Sequence, residues 1–149
     1  MTKPLQQSFK VRTNAVKGSV CKIDIEVVNF KSLWDNYVPG DPYRDPKTGK
    51  VPKDYDNQCA IRMSATFHKV GVEMKSFTTA NVDLKPLTTI GRILLDGKFT
   101  ATRAYELASW LKRQPFCGLP QKPENVTGED WEKKVRRRTG IIFFGDYWH

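Results

Sequence analysis

The side chain best placed for covalent chemistry is Cys59, in the run Asp56-Asn57-Gln58-Cys59-Ala60-Ile61-Arg62-Met63-Ser64. Asp56 or Asn57 suits a helix N-cap, and Ala60, Ile61, Met63, Ala65, Phe67 and Val70 recur close to the helical period. The pattern predicts a helix from Cys59 to about Gly71, with the thiol in its first turn. A cysteine attacks as its thiolate, and a helix N-terminus favours negative charge through unpaired N–H groups and aligned peptide dipoles. The same N–H groups suit the oxyanion formed when an acyl carbon is attacked, with the Asn57 or Gln58 side chain as a further donor. The plain alternative for such a cysteine is a small buried hydrophobe, and spacing alone leaves both open.

The elements that must position this thiol begin with a Pro- and Gly-punctuated stretch, residues 38–56, read as a long surface loop that ends just before Cys59. Upstream, Ser19 to Phe30 mixes alternation with a β-branched run and reads as a strand or a helix edge. Downstream, Thr100 to Arg113 is the clearest helix, with Ala104, Leu107, Ala108 and Leu111 on one face. Thr127 and Asp130 resemble a capping box that opens a short basic helix from Trp131 to about Arg137. The apolar run Gly140 to Gly145, bounded by glycines, reads as a buried strand. Helices first and a strand later predict an α+β domain spanning residues 1–149.

Twenty-five Lys and Arg against 16 Asp and Glu leave a net charge of +9, which favours partners carrying negative charge. The cluster Lys133, Lys134, Arg136, Arg137, Arg138 has only Trp131 as an aromatic neighbour, so it reads as a solvated helix face. Nucleic acid is not an expected partner. No apolar run approaches the roughly 18–20 residues of a membrane span, and Met1 to Lys10 lacks the apolar stretch of a signal peptide. Cys21, Cys59 and Cys117 lack the paired spacing of a zinc site, so no metal or other cofactor is expected. Cys21 and Cys117 are either a disulfide pair in an oxidising compartment or two unrelated buried thiols.

The run from Asp56 to Ser64 closely resembles the nucleophile motif of type VI secretion amidase effectors of the fourth family. The resemblance continues through Arg103-Ala104-Tyr105-Glu106-Leu107-Ala108, Trp110-Leu111 and Thr139-Gly140-Ile141-Ile142-Phe143-Phe144, and covers roughly residues 54 to 149. It implies a papain-like, NlpC-type cysteine peptidase fold, with helices packed on a small antiparallel sheet. The implied activity is hydrolysis of the γ-D-glutamyl to meso-diaminopimelate amide of peptidoglycan stem peptides. It further implies passage through the type VI secretion apparatus, action in the periplasm of target Gram-negative cells, and a cognate immunity protein in the producer.

The family's Gly-His motif, its following Leu-Trp and its downstream aspartate do not occur here. The resemblance therefore implies that the base is His149 or lies beyond it, with the last strands of the fold missing. His149 follows the nucleophile in the order that papain-like arrangements require, and Asp146 is a candidate to orient it. His68 stands about 13 Å along the expected helix from Cys59, beyond the roughly 3 Å a base needs, and is expected on the solvent face. A basic binding module without chemistry, or a fragment that needs a further C-terminal piece for activity, are the competing readings.

Overall fold

The computed structural model describes residues 28–116, 118–120 and 122–145. Among the described residues are four α-helices, α1 (Phe30–Asp35), α2 (Cys59–Lys69), α3 (Ala104–Leu111) and α4 (Trp131–Val135), two strands, β1 (Arg92–Leu95) and β2 (Lys98–Ala101), and two 3₁₀ turns, Lys53–Tyr55 and Thr79–Asn81. The described part is thus α+β. Most of residues 19–30, both Cys21 and Cys117, and His149 with Asp146 lie outside the described residues.

Helix α2 forms where the apolar period predicts it, and its burial follows that period: Ala60, Ile61, Ser64 and Phe67 face inward. It ends because Gly71 takes a left-handed φ of +87°, which lets the Gly71 N–H bond the His68 carbonyl and the Val72 N–H the Phe67 carbonyl. Its start differs from expectation. Gln58 occupies the N-cap position without a side-chain cap bond, while the Asn57 side-chain oxygen accepts from the Cys59 N–H at 3.1 Å.

β1 and β2 pair antiparallel with Arg92 opposite Ala101 and Leu95 opposite Lys98. The turn between them is Asp96-Gly97, with φ of +50° and +75°, the two positive values that a tight hairpin turn needs. This hairpin corrects the expectation of a helix from Thr100 onward. Thr100 and Ala101 finish the strand ladder, Arg103 is extended, and the helix begins at Ala104. From there Leu107 and Trp110 recur at helical spacing and are buried.

The core lies where α2 and α3 meet β2, with Ala60, Phe67, Met74, Phe77, Ala101 and Trp110 buried. Trp110 stands edge-on to Phe77 at 6.0 Å between centroids and donates its indole N–H to Ser76 Oγ at 3.1 Å. Buried polar groups are paired across elements, as burial demands. Ser64 Oγ of α2 accepts from the Ala101 N–H at 3.1 Å, and Glu106 of α3 accepts from the Gly91 N–H at 2.6 Å while holding Arg103 at 2.9 Å.

His68 does not lie on the solvent face of α2. Its Nε2 is 3.0 Å from Thr100 Oγ1, tying the helix to β2, and the ring is part-buried. Burial first, and then the nearby Lys98 charge, push its pKa below the usual 6.5, outweighing the raising effects of the Val72 backbone and Asp96. The fold therefore prefers neutral imidazole, and the unfolded chain binds the extra proton first. Stability from this group is complete above about pH 6.5 and declines as pH falls through that value. Urea midpoints measured at about pH 7.5 and about pH 5.5 are expected to fall further in the wild type than in His68→Gln.

Two other expectations fail. α4 has Asp130 itself at the N-cap with no side-chain bond, and it stops at Val135, so the capping box from Thr127 is not formed. Residues 140–145 form no strand, and Ile141, Ile142, Phe143 and Phe144 are 40–47% exposed. A run of apolar residues is buried only if something covers it, and among the described residues only Tyr105 and Trp131 make ring contacts with this one.

Candidate active site

Cys59 is the first residue of α2 and is exposed, with a free thiol. Its neighbours in sequence, Gln58 and Ala60, are buried, so the helix start is anchored on both sides while the sulfur faces outward. At the helix N-terminus the first intrahelical bond runs from the Arg62 N–H to the Gln58 carbonyl at 2.8 Å. The N–H groups before it belong to the unpaired set found at every helix start. The Cys59 N–H is engaged by the Asn57 side-chain oxygen, which an incoming anion must displace.

The stretch from Val38 to Asp56 holds one 3₁₀ turn, Lys53–Tyr55, and is fastened to α2 at three points. The Val38 N–H donates to Thr66 Oγ1 at 3.0 Å. Arg62 Nε donates to the Gly40 carbonyl at 2.5 Å, with its guanidinium 3.6 Å from Asp41. Gln58 makes two bonds to one residue: its amide oxygen accepts from the Tyr43 N–H at 2.9 Å and its amide nitrogen donates to the Tyr43 carbonyl at 2.8 Å. The Gln58 amide thus meets the Tyr43 backbone as a neighbouring strand would. Tyr43 in turn stands edge-on to Tyr55 at 5.0 Å.

This arrangement removes Gln58 as an oxyanion donor, because its side chain is fully buried and committed to Tyr43. Its role is to hold the loop beside the thiol. Reasoning from sequence missed that role and those of Arg62 and Tyr43. The available signal was a glutamine next to residues of the buried helix face, since a buried amide needs backbone partners.

Gln58→Ala is expected to cost about 1–3 kcal/mol, the usual consequence of stranding part-buried backbone partners. Hydrogen exchange is expected to quicken at the Tyr43 amide. Gln58→Glu sets a carboxylate oxygen against the Tyr43 carbonyl and is expected to cost at least as much.

The remaining candidates lie elsewhere. His68 sits nine residues along α2 and is bonded to Thr100, so it is not brought to Cys59. A cleft of about 420 Å³, lined by Val70, Gly71, Glu73, Lys75 and Phe116, opens at the C-terminal end of α2, away from the thiol. Among the described residues no group of three or more His, Cys, Asp or Glu side chains is placed to hold a metal ion, and no helix is long and apolar enough to cross a membrane.

Compared with known proteins, residues 55–149, well over half of the chain, match the family model described as type VI secretion system (T6SS), amidase effector protein 4. No curated protein and no solved structure gave a match.

Proposed function

The chain belongs to the type VI secretion system amidase effector protein 4 family, and on that premise we propose that it is an antibacterial hydrolase of peptidoglycan stem peptides with Cys59 as nucleophile. The observation that carries this reading is the exposed thiol at the first residue of an 11-residue helix, inside the matched region and walled by a fastened loop. A cysteine at the head of a helix packed on antiparallel strands supports a papain-like, NlpC-type fold. The bond proposed is the γ-D-glutamyl to meso-diaminopimelate amide.

In the first step the Cys59 thiolate attacks the γ-carbonyl carbon, and a C–S bond forms as the C–N bond breaks. A base other than His68 takes the thiol proton and returns it to the departing diaminopimelate amine. The resulting thioester is opened by water, which regenerates the thiol and leaves a γ-carboxylate. Backbone N–H groups at the start of α2 hold the oxyanion once it displaces the Asn57 side-chain oxygen. The excess positive charge suits an acidic wall polymer, and the site of action is the periplasm of the target cell. A cognate immunity protein in the producer completes this reading.

Purified sacculi incubated with the chain and analysed by mass spectrometry test it. Stems shortened at D-glutamate are expected with the wild type and not with Cys59→Ala. Intact stems in both digests, or equal shortening in both, would overturn it.

A further inference from the structure

Arg62 leaves α2 three residues after Cys59, so the two side chains are neighbours on the helix surface, about 5–6 Å apart at Cβ. Its Nε is committed to the carbonyl of Gly40, where the loop turns with a left-handed φ of +75°. The other two guanidinium nitrogens of Arg62 donate no hydrogen bond among the described residues. One of them, Nη2, stands 3.6 Å from the Asp41 carboxylate, and Arg44 Nη2 stands 3.7 Å from the other oxygen of the same group. Two guanidinium groups thus face a single carboxylate between them.

Both distances exceed the roughly 2.7–2.9 Å of a direct charge-assisted bond, so neither arginine closes on Asp41. Two cations against one anion also leave positive charge in excess. Asp54 and Asp56, exposed in the same stretch, form no ion pair with either arginine. The group is open to solvent, with the side chains of Arg62, Asp41 and Arg44 at 28, 33 and 53% accessible. It is also held in place, because Tyr43 and Val38 fasten the same loop to Gln58 and Thr66, one turn to either side of Arg62 on α2. A fixed guanidinium with unused donors suits a planar carboxylate.

We propose that Arg62 and Arg44 form a carboxylate-binding subsite that reads the free α-carboxylate of D-glutamate in the stem peptide. The subsite rests on the reading of Cys59 as nucleophile, because its place is set by the attacked carbonyl. That carboxylate is joined to the γ-carbonyl through four C–C bonds of about 1.5 Å each, so it lies about 5 Å away when extended, a span that matches the step from Cys59 to Arg62. In a tetrapeptide stem the diaminopimelate carboxyl nearest the scissile amide is itself in a peptide bond, which leaves the D-glutamate carboxylate as the nearest anion. On binding it takes the Nη donors and turns Asp41 out to solvent. Asp41 is the resident competitor that keeps the two arginines facing one point until then.

The test titrates the whole chain carrying Cys59→Ala, so that binding is read without turnover, with two tetrapeptide stems. One has the free α-carboxylate on D-glutamate and the other has a carboxamide there. The carboxylate stem is expected to bind at least about tenfold more tightly, the usual worth of a hydrogen bond to a charged group, and added salt is expected to narrow the gap. Arg62→Met is expected to bring the two affinities within about twofold, and Arg44→Met to narrow them in part. Asp41→Asn, which keeps the bond from Arg62 to Gly40, is expected to widen the gap because the resident carboxylate no longer competes. Equal binding of the two stems, binding of neither, or a gap that Asp41→Asn leaves unchanged or narrows would each overturn the proposal. Preferred binding of a carboxylate stem that the wild type leaves uncut would sink the hydrolase reading and keep the subsite. Cleavage of both stems with equal kcat/KM would do the reverse.

Discussion

Cys59→Ser is expected to lower the rate of stem-peptide cleavage by at least about a thousandfold, on the scale seen when an acyl-transfer nucleophile is removed. A serine hydroxyl at this position has the geometry of the thiol but is far less ionised near neutral pH, so the first bond-forming step fails. The fold is expected to be unaffected, because Cys59 is exposed and the helix start is fixed by Gln58 and Ala60 instead. Exposed substitutions usually change stability by no more than about 0.5 kcal/mol, so the melting temperature is expected to stay within about 2–4 °C. Loss of activity together with a large drop in melting temperature would move Cys59 from chemistry to structure.

Trp110→Ala carries the largest expected cost in stability. The indole is fully buried, meets Phe77 and Phe116 edge-on or tilted at 6.0 Å, and gives its N–H to Ser76. Truncation removes that packing, strands the Ser76 hydroxyl and opens a cavity between α3 and the segment that follows α2. Such changes cost about 3–5 kcal/mol. Domains of this size hold about 5–15 kcal/mol in all, so the variant is expected near its unfolding threshold at room temperature. Urea denaturation checks it, with Leu94→Ala at a position 63% exposed as the control expected to change little.

The parts of the fold that were legible in the sequence are those set by local periodicity. Helix α2 was legible in the recurrence of Ala60, Ile61 and Phe67, although Met63, Ala65 and Val70 of the same pattern are only half-buried; α3 was legible as a helix, but of its expected face Ala104, Leu107, Ala108 and Leu111 only Leu107 is buried, beside Glu106, Ser109 and Trp110. The hairpin carried its own signal in Asp96-Gly97, but Thr100 and Ala101 also fit the first turn of a helix, and local pattern did not choose between them. Tertiary pairing decided: the Ala101 N–H bonds to Ser64 of α2 and Thr100 meets His68.

Residues 140–145 show the opposite limit. Four apolar residues between glycines have the composition of a buried strand, yet burial depends on a covering neighbour that composition does not supply. That Cys59 heads a helix was legible in the sequence. The loop staple through Gln58 and Arg62 was not, because both bonds span 15 residues or more and depend on where Gly40 and Tyr43 come to rest.

The central claim, that Cys59 bears the acyl group during cleavage, is tested most directly by acid-quenching the reaction on a purified stem peptide. The peptide spanning Cys59 is then weighed by mass spectrometry. A mass increase equal to the acyl part up to D-glutamate, located on Cys59 and reversed by hydroxylamine, is the expected result. Cleavage that proceeds with Cys59 unmodified, and equally in Cys59→Ala, would contradict it.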